Sequence, residues 1–176
     1  LAFAEIRRTR GRFLSIIGAL SLITFLVLTL SALSDGLFYG STGAYRSSNA
    51  QAYAFSNDAE GSLIRSRVPV ADVAAYSKVA GVTKASGVGV LLTSGTGPNG
   101  ELDLAVFGVD PEGAGVPKTV TQGRLPNPGE NTAAAVDTSL TNKGVKIGAS
   151  VKDGEERGTV VGSTGDSNYQ LQPTIW

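Results

Sequence analysis

The 176 residues include no cysteine, no histidine and no methionine. Without cysteine there is neither disulfide nor thiolate chemistry. Without histidine, imidazole-based catalytic triads and ordinary zinc sites are excluded. Net charge is absent too, but the zero hides an asymmetry. The first 12 residues carry four Arg against Glu5, a balance of +3, whereas the part after Leu33 holds 11 basic and 14 acidic residues, a balance of −3. A faintly acidic main segment has no electrostatic reason to bind nucleic acid. Methionine is missing even at position 1, where Leu1 stands, and Leu171 to Trp176 reads like the opening of a strand, so the chain is expected to be a fragment.

Charge is also missing from one long stretch. Phe13 to Leu33 is a run of 21 residues without a charged side chain, directly preceded by Arg7, Arg8, Arg10 and Arg12. As a helix, at ~1.5 Å per residue, it would be roughly 31 Å long, the thickness of a bilayer's hydrocarbon core. Basic flanks resist translocation, so the arginines are expected on the cytoplasmic side as topology determinants and the rest of the chain outside. The divisions expected are a basic interfacial segment over 1–12, a transmembrane helix over 13–37, a connector over 38–50 and an extracytoplasmic domain over 51–176. Phe3 and Ile6, interleaved with charge, suit a short interfacial helix that meets anionic lipid. A cleaved signal peptide is the rival reading. Its apolar region usually runs ~7–15 residues to a small-x-small site, and Leu30-Ser31-Ala32 approximates one poorly.

At 100° per residue, Leu22, Ile23, Leu26, Leu30, Leu33 and Leu37 share one arc of the helix. Ser21, Thr24, Ser31 and Asp35 lie nearly opposite, with Leu28 among them, and Gly11, Ser15 and Gly18 continue beside that stripe toward the cytoplasm. Small and hydroxylated residues let neighbouring helices approach and hydrogen-bond. Gly11, Ser15, Gly18, Ser21 and Thr24 are therefore candidate packing positions. Ser31, Asp35 and Tyr39, at the outer end, are candidates for a substrate entrance, with helix packing or plain hydration of Asp35 as the blander readings.

About 140 residues follow the span, enough for one domain with a core. Gly40 to Asn49 is small and polar, a transition. Gln51 to Phe55 alternates at period two and predicts a strand. Val70 to Val79 predicts a helix between Pro69 and Gly81, burying Val70, Val73, Ala74, Tyr76 and Val79. Val82 to Thr93 and Glu101 to Val109 predict paired strands, the second half-buried because Leu102, Leu104 and Val106 alternate with Asp103. Asp110 to Gly113 predicts a turn, and a Gly- and Pro-rich loop runs on to Gly129. Ala133 to Val136 predicts a short strand, with Asp137 capping a brief helix over Thr138 to Lys143 that Gly144 closes. A hairpin is expected around Asp153-Gly154, and a strand over Tyr169 to Trp176 interrupted by Pro173. The fold class is α+β: one N-terminal transmembrane helix followed by a strand-rich extracytoplasmic domain.

Several motifs match on paper. Gly95-Thr96-Gly97-Pro98-Asn99-Gly100 satisfies G-x-G-x-x-G, but an alternating strand follows it where a dinucleotide site needs a helix. It reads as a hairpin loop. Gly165-Asp166-Ser167 is similar to the nucleophile block of one esterase class, yet its serine has no histidine base. No Ser-x-x-Lys spacing occurs. The pairs Asp58/Glu60, Asp110/Glu112 and Glu155/Glu156 lack calcium-loop spacing and read as solvated turns. No catalytic, cofactor or metal residue is assigned.

The order of features resembles the permease subunits of ABC transporters of the MacB/FtsX type. Glu5-Ile6-Arg7-Arg8-Thr9-Arg10-Gly11-Arg12-Phe13 looks like that family's lead into its first span. Leu30-Ser31-Ala32-Leu33-Ser34-Asp35-Gly36-Leu37 looks like its exit, especially in the DevC-like and heme-exporter branch. Gly108-Val109-Asp110, Gly123-Arg124-Leu125-Pro126, Val136-Asp137, Lys146-Ile147-Gly148 and Thr159-Val160-Val161-Gly162 follow, similar in order to the family's extracytoplasmic core domain. The resemblance implies a plasma-membrane protein, a permease homodimer and a separate ABC ATPase subunit that binds the ATP. It also implies four spans, with the outer domain between the first and second, and export of a hydrophobic substrate. Heme is the substrate the branch suggests first. With the usual axial ligands missing, Tyr39, Tyr45, Asp35 or apolar contact would have to hold it. A lipid, peptide or hydrophobic drug fits the same features. A single-span binding module without transport activity is the alternative from another class, and a membrane-tethered hydrolase a third.

Overall fold

The computed structural model describes residues 10–176. They divide into two compact units that meet in sequence between Tyr39 and Gly40. Residues 1–9 of the expected interfacial segment, with Phe3, Glu5, Ile6, Arg7 and Arg8, lie outside the described residues, and Arg10 to Arg12 open the helix described next.

The first unit consists of most of helix α1, Arg10–Ser47. Nothing in its sequence breaks it: the run lacks proline, and leucine, alanine and isoleucine favour helix. The stretch expected as a connector is helical to Ser47. Gly40 and Gly43 do not end the helix, because packing within the second unit holds both (below). The hydroxyls of Ser15, Thr24 and Thr29 each donate to the carbonyl four residues earlier, at 2.8–2.9 Å. That removes the cost of carrying a bare hydroxyl into an apolar medium.

The second unit is built on seven strands: β1 Val88–Gly97, β2 Gly100–Val109, β3 Val120–Gly123, β4 Ala133–Asp137, β5 Ser150–Asp153, β6 Glu156–Thr164 and β7 Thr174–Ile175. Their order is β3-β6-β4-β7-β2-β1-β5, and β5 pairs back onto β6, so six strands close a ring with β3 as an outer edge. Closure rests on one register pair, Thr96 with Lys152. A Cβ on Gly95 would sit 2.8 Å from the Lys152 carbonyl oxygen and 2.9 Å from Leu104 Cδ1. Only glycine lets β1 come that near to β5.

Strand β2 is buried on both faces. Leu102 and Leu104 join Val136, Leu140, Val145, Val151 and Val160 in one cluster. Ala105 and Phe107 join Ala44, Ala135, Tyr169 and Trp176 in another. Asp103, between the two leucines, is exposed, as its place in the alternation requires. The G-x-G-x-x-G segment is a hairpin, tighter than expected: Gly97 pairs with Gly100, leaving only Pro98 and Asn99 in the turn. The second hairpin pairs Asp153 with Glu156 around Gly154-Glu155. Asp137 caps a 3-10 helix, Thr138–Lys143, by accepting the Ser139 amide, and Gly144 ends it at φ 84°.

Further expectations are corrected, and the strand expected from Val82 begins only at Val88 and runs on to Gly97. Gln51 to Phe55 forms no strand. Tyr53 and Phe55 are half-buried and Ala52 and Ala54 exposed, so the period of two reports side-chain burial along an extended segment without a pairing partner. The helix expected over Val70 to Val79 shrinks to a 3-10 turn, Val70–Asp72, and one α-helical turn, α2, Val73–Tyr76. Its apolar face stays open, with Val70 86% and Val79 54% exposed, and so short a helix without tertiary packing is marginal. The strand expected over Tyr169 to Trp176 is only Thr174–Ile175. Tyr169 and Gln172 close a tight turn by exchanging both amide bonds, with Gln170 and Leu171 at φ 48° and 65°. Finally, the long Gly- and Pro-rich loop contains β3, whose four residues pair with the end of β6.

Candidate functional site

The second unit begins with the last two turns of α1, and these are anchored by backbone. Ala44 donates its amide to Asn168 O at 2.8 Å, while Gly40 O and Ser41 O accept the amides of Leu171 (3.1 Å) and Gln170 (3.2 Å). The approach depends on missing side chains. A Cβ on Gly43 would lie 2.5 Å from Asp166 O and 2.9 Å from Asn168 N, and one on Gly40 would lie 2.8 Å from Leu171 Cδ2.

Around this joint stands a chain of aromatic rings. Tyr45 meets Tyr53 edge-on at 5.0 Å between centroids and Tyr169 at 5.7 Å. Tyr169 meets Phe107 at 5.5 Å, and Phe107 meets Trp176 at 4.6 Å. Such pairs add ~0.5–1.5 kcal/mol each beyond their burial. Burial pushes the Tyr53 phenol above its ordinary pKa, with the Ser48 hydroxyl, 2.5 Å away, acting in the opposite direction.

The turn is held from the far side by a buried polar knot. Asp137 Oδ2 accepts from the Ser167 amide (2.9 Å) and hydroxyl (2.8 Å), and Oδ1 from the Ser139 amide (2.8 Å). Thr174 Oγ1 donates to Ser167 Oγ at 2.6 Å, and Thr164 Oγ1 lies 2.9 Å from it. Ser167 is fully buried and Asp137 nearly so. Each group is satisfied, as buried polar groups must be. The serine is therefore a structural tie, inaccessible to a substrate.

A cleft of about 420 Å³ opens in the same unit. Val106, Phe107, Ile175 and Trp176 line it together with Leu125 and Pro126. Beside them Glu130 is held by the Arg124 guanidinium through two bonds of 2.6 and 3.0 Å and accepts the Asn127 amide at 2.9 Å. These partners pull its carboxyl down to about 2, the arginine bond most. The Arg124 guanidinium is correspondingly raised by Glu130. The pair is exposed and fixes the loop between β3 and β4.

No family model matches the chain, and no curated protein does. Solved structures similar in fold include two extracytoplasmic transporter domains. The extracellular domain of the noncanonic ABC-type transporter YknZ from Gram-positive bacteria superposes at 18% identity and a TM-score of 0.48, over 60% of this chain and 59% of that one. The periplasmic region of MacB from Actinobacillus actinomycetemcomitans superposes at 15% identity and a TM-score of 0.46, over 61% and 54%. This chain therefore spans little more than half the length of either structure.

Of the topology determinants, Arg10 and Arg12 open α1 and are exposed. Gly11, Ser15, Gly18, Ser21 and Thr24 all lie on α1 and are exposed, with open space where a Cβ of Gly11 or Gly18 would stand. Ser31, Asp35 and Tyr39 are spaced four apart on the same helix, and the Tyr39 ring meets Phe38 edge-on at 6.0 Å. Tyr45 is engaged in the aromatic chain. Sequence reasoning missed the joint. Gly40 and Gly43, three apart on a helix, were its only local signal, since the turn that meets them lies more than 120 residues away.

Proposed function

We propose that the chain is the N-terminal part of a permease subunit of an ABC export system. In this reading α1 is the first membrane span, its arginine end is cytoplasmic and the strand-rich domain is extracytoplasmic. The observation that carries the reading is the bare apolar surface of α1. Fourteen large apolar side chains from Phe13 to Leu37 are 45–68% exposed. At ~1.5–3 kcal/mol for each one left in water, the total is of order 20 kcal/mol or more. A domain's whole stability is ~5–15 kcal/mol. Lipid is the medium that removes this cost.

Helix continuity argues against the cleaved-signal alternative. Leu30-Ser31-Ala32 lies inside an unbroken helix, whose final turns from Gly40 are part of the domain. A peptidase needs its site extended. The order of residues that resembles MacB/FtsX-type permeases adds the transport assignment: a homodimer whose ATPase partners close on the cytoplasmic side and move the outer domains as coupled bodies. The substrate class is hydrophobic, with heme as one candidate.

The test is topology and partnership in cells. Protease added outside intact cells should remove the domain, and the tagged full-length protein should co-purify with an ATPase subunit. A domain protected in intact cells and lost only after permeabilisation would invert the topology and end the reading. For the substrate, an absorption titration of the full-length protein with heme should shift the Soret band, less so in Asp35→Ala. An unchanged spectrum in the wild type removes heme.

A further inference from the structure

The turn that meets the last turns of α1 opposes its own local chemistry. Tyr169 pairs with Gln172, and the two residues between them, Gln170 and Leu171, both have positive φ, 48° and 65°. Two-residue turns of that hand favour asparagine and glycine, which adopt the left-handed backbone most readily. Leucine is a poor choice there, and its side chain does not compensate by joining a core, since it stays 59% exposed. The backbone is held instead by the helix, through Ser41 O accepting the Gln170 amide and Gly40 O the Leu171 amide. Leu171 rests over Gly40, where a Cβ would lie 2.8 Å from its Cδ2.

One exposed leucine is ordinary by itself. Charge supplies a second observation. After Leu33 the chain holds 11 basic and 14 acidic residues, yet none falls in the stretches that build this joint, 40–45 and 167–176. What those stretches offer is hydroxyl, amide and aromatic groups, a mixture suited to the membrane–water interface. Position along the helix supplies the third. Gly40 lies three residues past Leu37, the end of the expected span, in one unbroken helix, which is ~4.5 Å at the usual rise. The polar layer outside the hydrocarbon is roughly 5–7 Å thick on each side.

We propose that the Gln170-Leu171 turn is a lipid contact, with Leu171 entering the headgroup layer next to Gly40 and reaching the upper acyl chains. Lipid gives the exposed side chain an apolar medium, and it explains why no charge stands at the joint. The same turn bonds the helix on one side and leads two residues later into β7, Thr174–Ile175. The bilayer surface therefore supports the joint from its open side.

This inference rests on the reading of α1 as a membrane span. Leu171→Cys, Gln170→Cys and Val27→Cys are each labelled with bimane in the full-length protein, in a background free of other cysteines. Each is reconstituted in phosphatidylcholine–phosphatidylglycerol vesicles, with or without lipid carrying a nitroxide near the headgroup end of its acyl chain. Both turn labels should lose most of their fluorescence to the nitroxide lipid and little to aqueous iodide. Gln170→Cys keeps Leu171 in place, so it carries the test where the Leu171 variant misfolds. A Val27 label quenched by nitroxide lipid, with turn labels that answer only to iodide, overturns the lipid contact alone. Turn labels shielded from both quenchers, as against a second copy of the chain, overturn it too. A Val27 label that answers to iodide and not to lipid removes the span and the contact together.

Discussion

Ala44 donates its amide to Asn168 across a gap of more than 120 residues, so the end of a helix and the turn before β7 share one hydrogen-bonded joint. Gly43 makes this possible by presenting no Cβ to Asp166 O, which such an atom would approach to 2.5 Å. Gly43→Ala should therefore destabilise the domain by ~1–3 kcal/mol, the usual cost of overpacking, despite alanine's better helix propensity. Gly36→Ala, with nothing within 4 Å, should be neutral or slightly stabilising. Thermal unfolding separates them: at ~2–4 °C per kcal/mol, Gly43→Ala loses several degrees and Gly36→Ala none.

Ser167 tests whether the polar knot is structural. Ser167→Ala removes a hydroxyl that bonds Asp137 Oδ2 and receives Thr174. Losing a hydrogen bond to a buried carboxylate should cost ~1.5–3 kcal/mol. The measurement is denaturant unfolding, paired with labelling by a serine-reactive fluorophosphonate. Labelling of the folded wild type at Ser167 would revive the hydrolase reading.

The long helix, both hairpins and the Asp137 cap were legible because each is set by neighbours in sequence: a charge-free run, alternating strands around short turns, an acid before a helical turn. The closed ring was not. It depends on Thr96 meeting Lys152 and on Gly95 allowing the approach, and no local pattern encodes a pairing over that distance. Strand β3 was hidden by flanking glycine and proline, since four residues along one edge need little propensity of their own. At Val70 to Val79 the periodicity was real, but among the described residues that face is left largely exposed, with Val73 alone half-buried. Ser167 could be recognised as structural only once Asp137 was beside it.

Glu130 gives a pH signature. Its carboxyl is held near 2 by Arg124 and the Asn127 amide, below the ~4.3 of an unfolded chain. A depressed carboxylate adds stability that is fully present above the unfolded value and is lost as pH falls toward 2. Glu130→Gln should thus be less stable than wild type at pH 7, and the two should converge as pH drops from about 4.3 to 2. The pair is exposed, so the gap should also shrink with added salt. Urea midpoints of both proteins across that range provide the check, and a gap unchanged at pH 2 would contradict the ion-pair account.

Gly18 tests the packing face of α1. In the proposed permease, Gly11, Ser15, Gly18, Ser21 and Thr24 face other helices. Apart from the adjoining helix backbone, no described atom lies within 4 Å of a Cβ at Gly18, so a larger side chain there meets no other part of the described chain. In lipid, helix association relies on close approach of backbones at small residues. Gly18→Leu should therefore weaken self-association of the full-length protein several-fold, at ~1.4 kcal/mol per tenfold, while leaving expression and domain unfolding unchanged. Val27→Ala, half a turn around the helix from Gly18 at 100° per residue and likewise exposed, should leave association intact. Energy transfer between donor- and acceptor-labelled proteins in liposomes reads both. Equal loss from the two substitutions would contradict a packing face centred on Gly18.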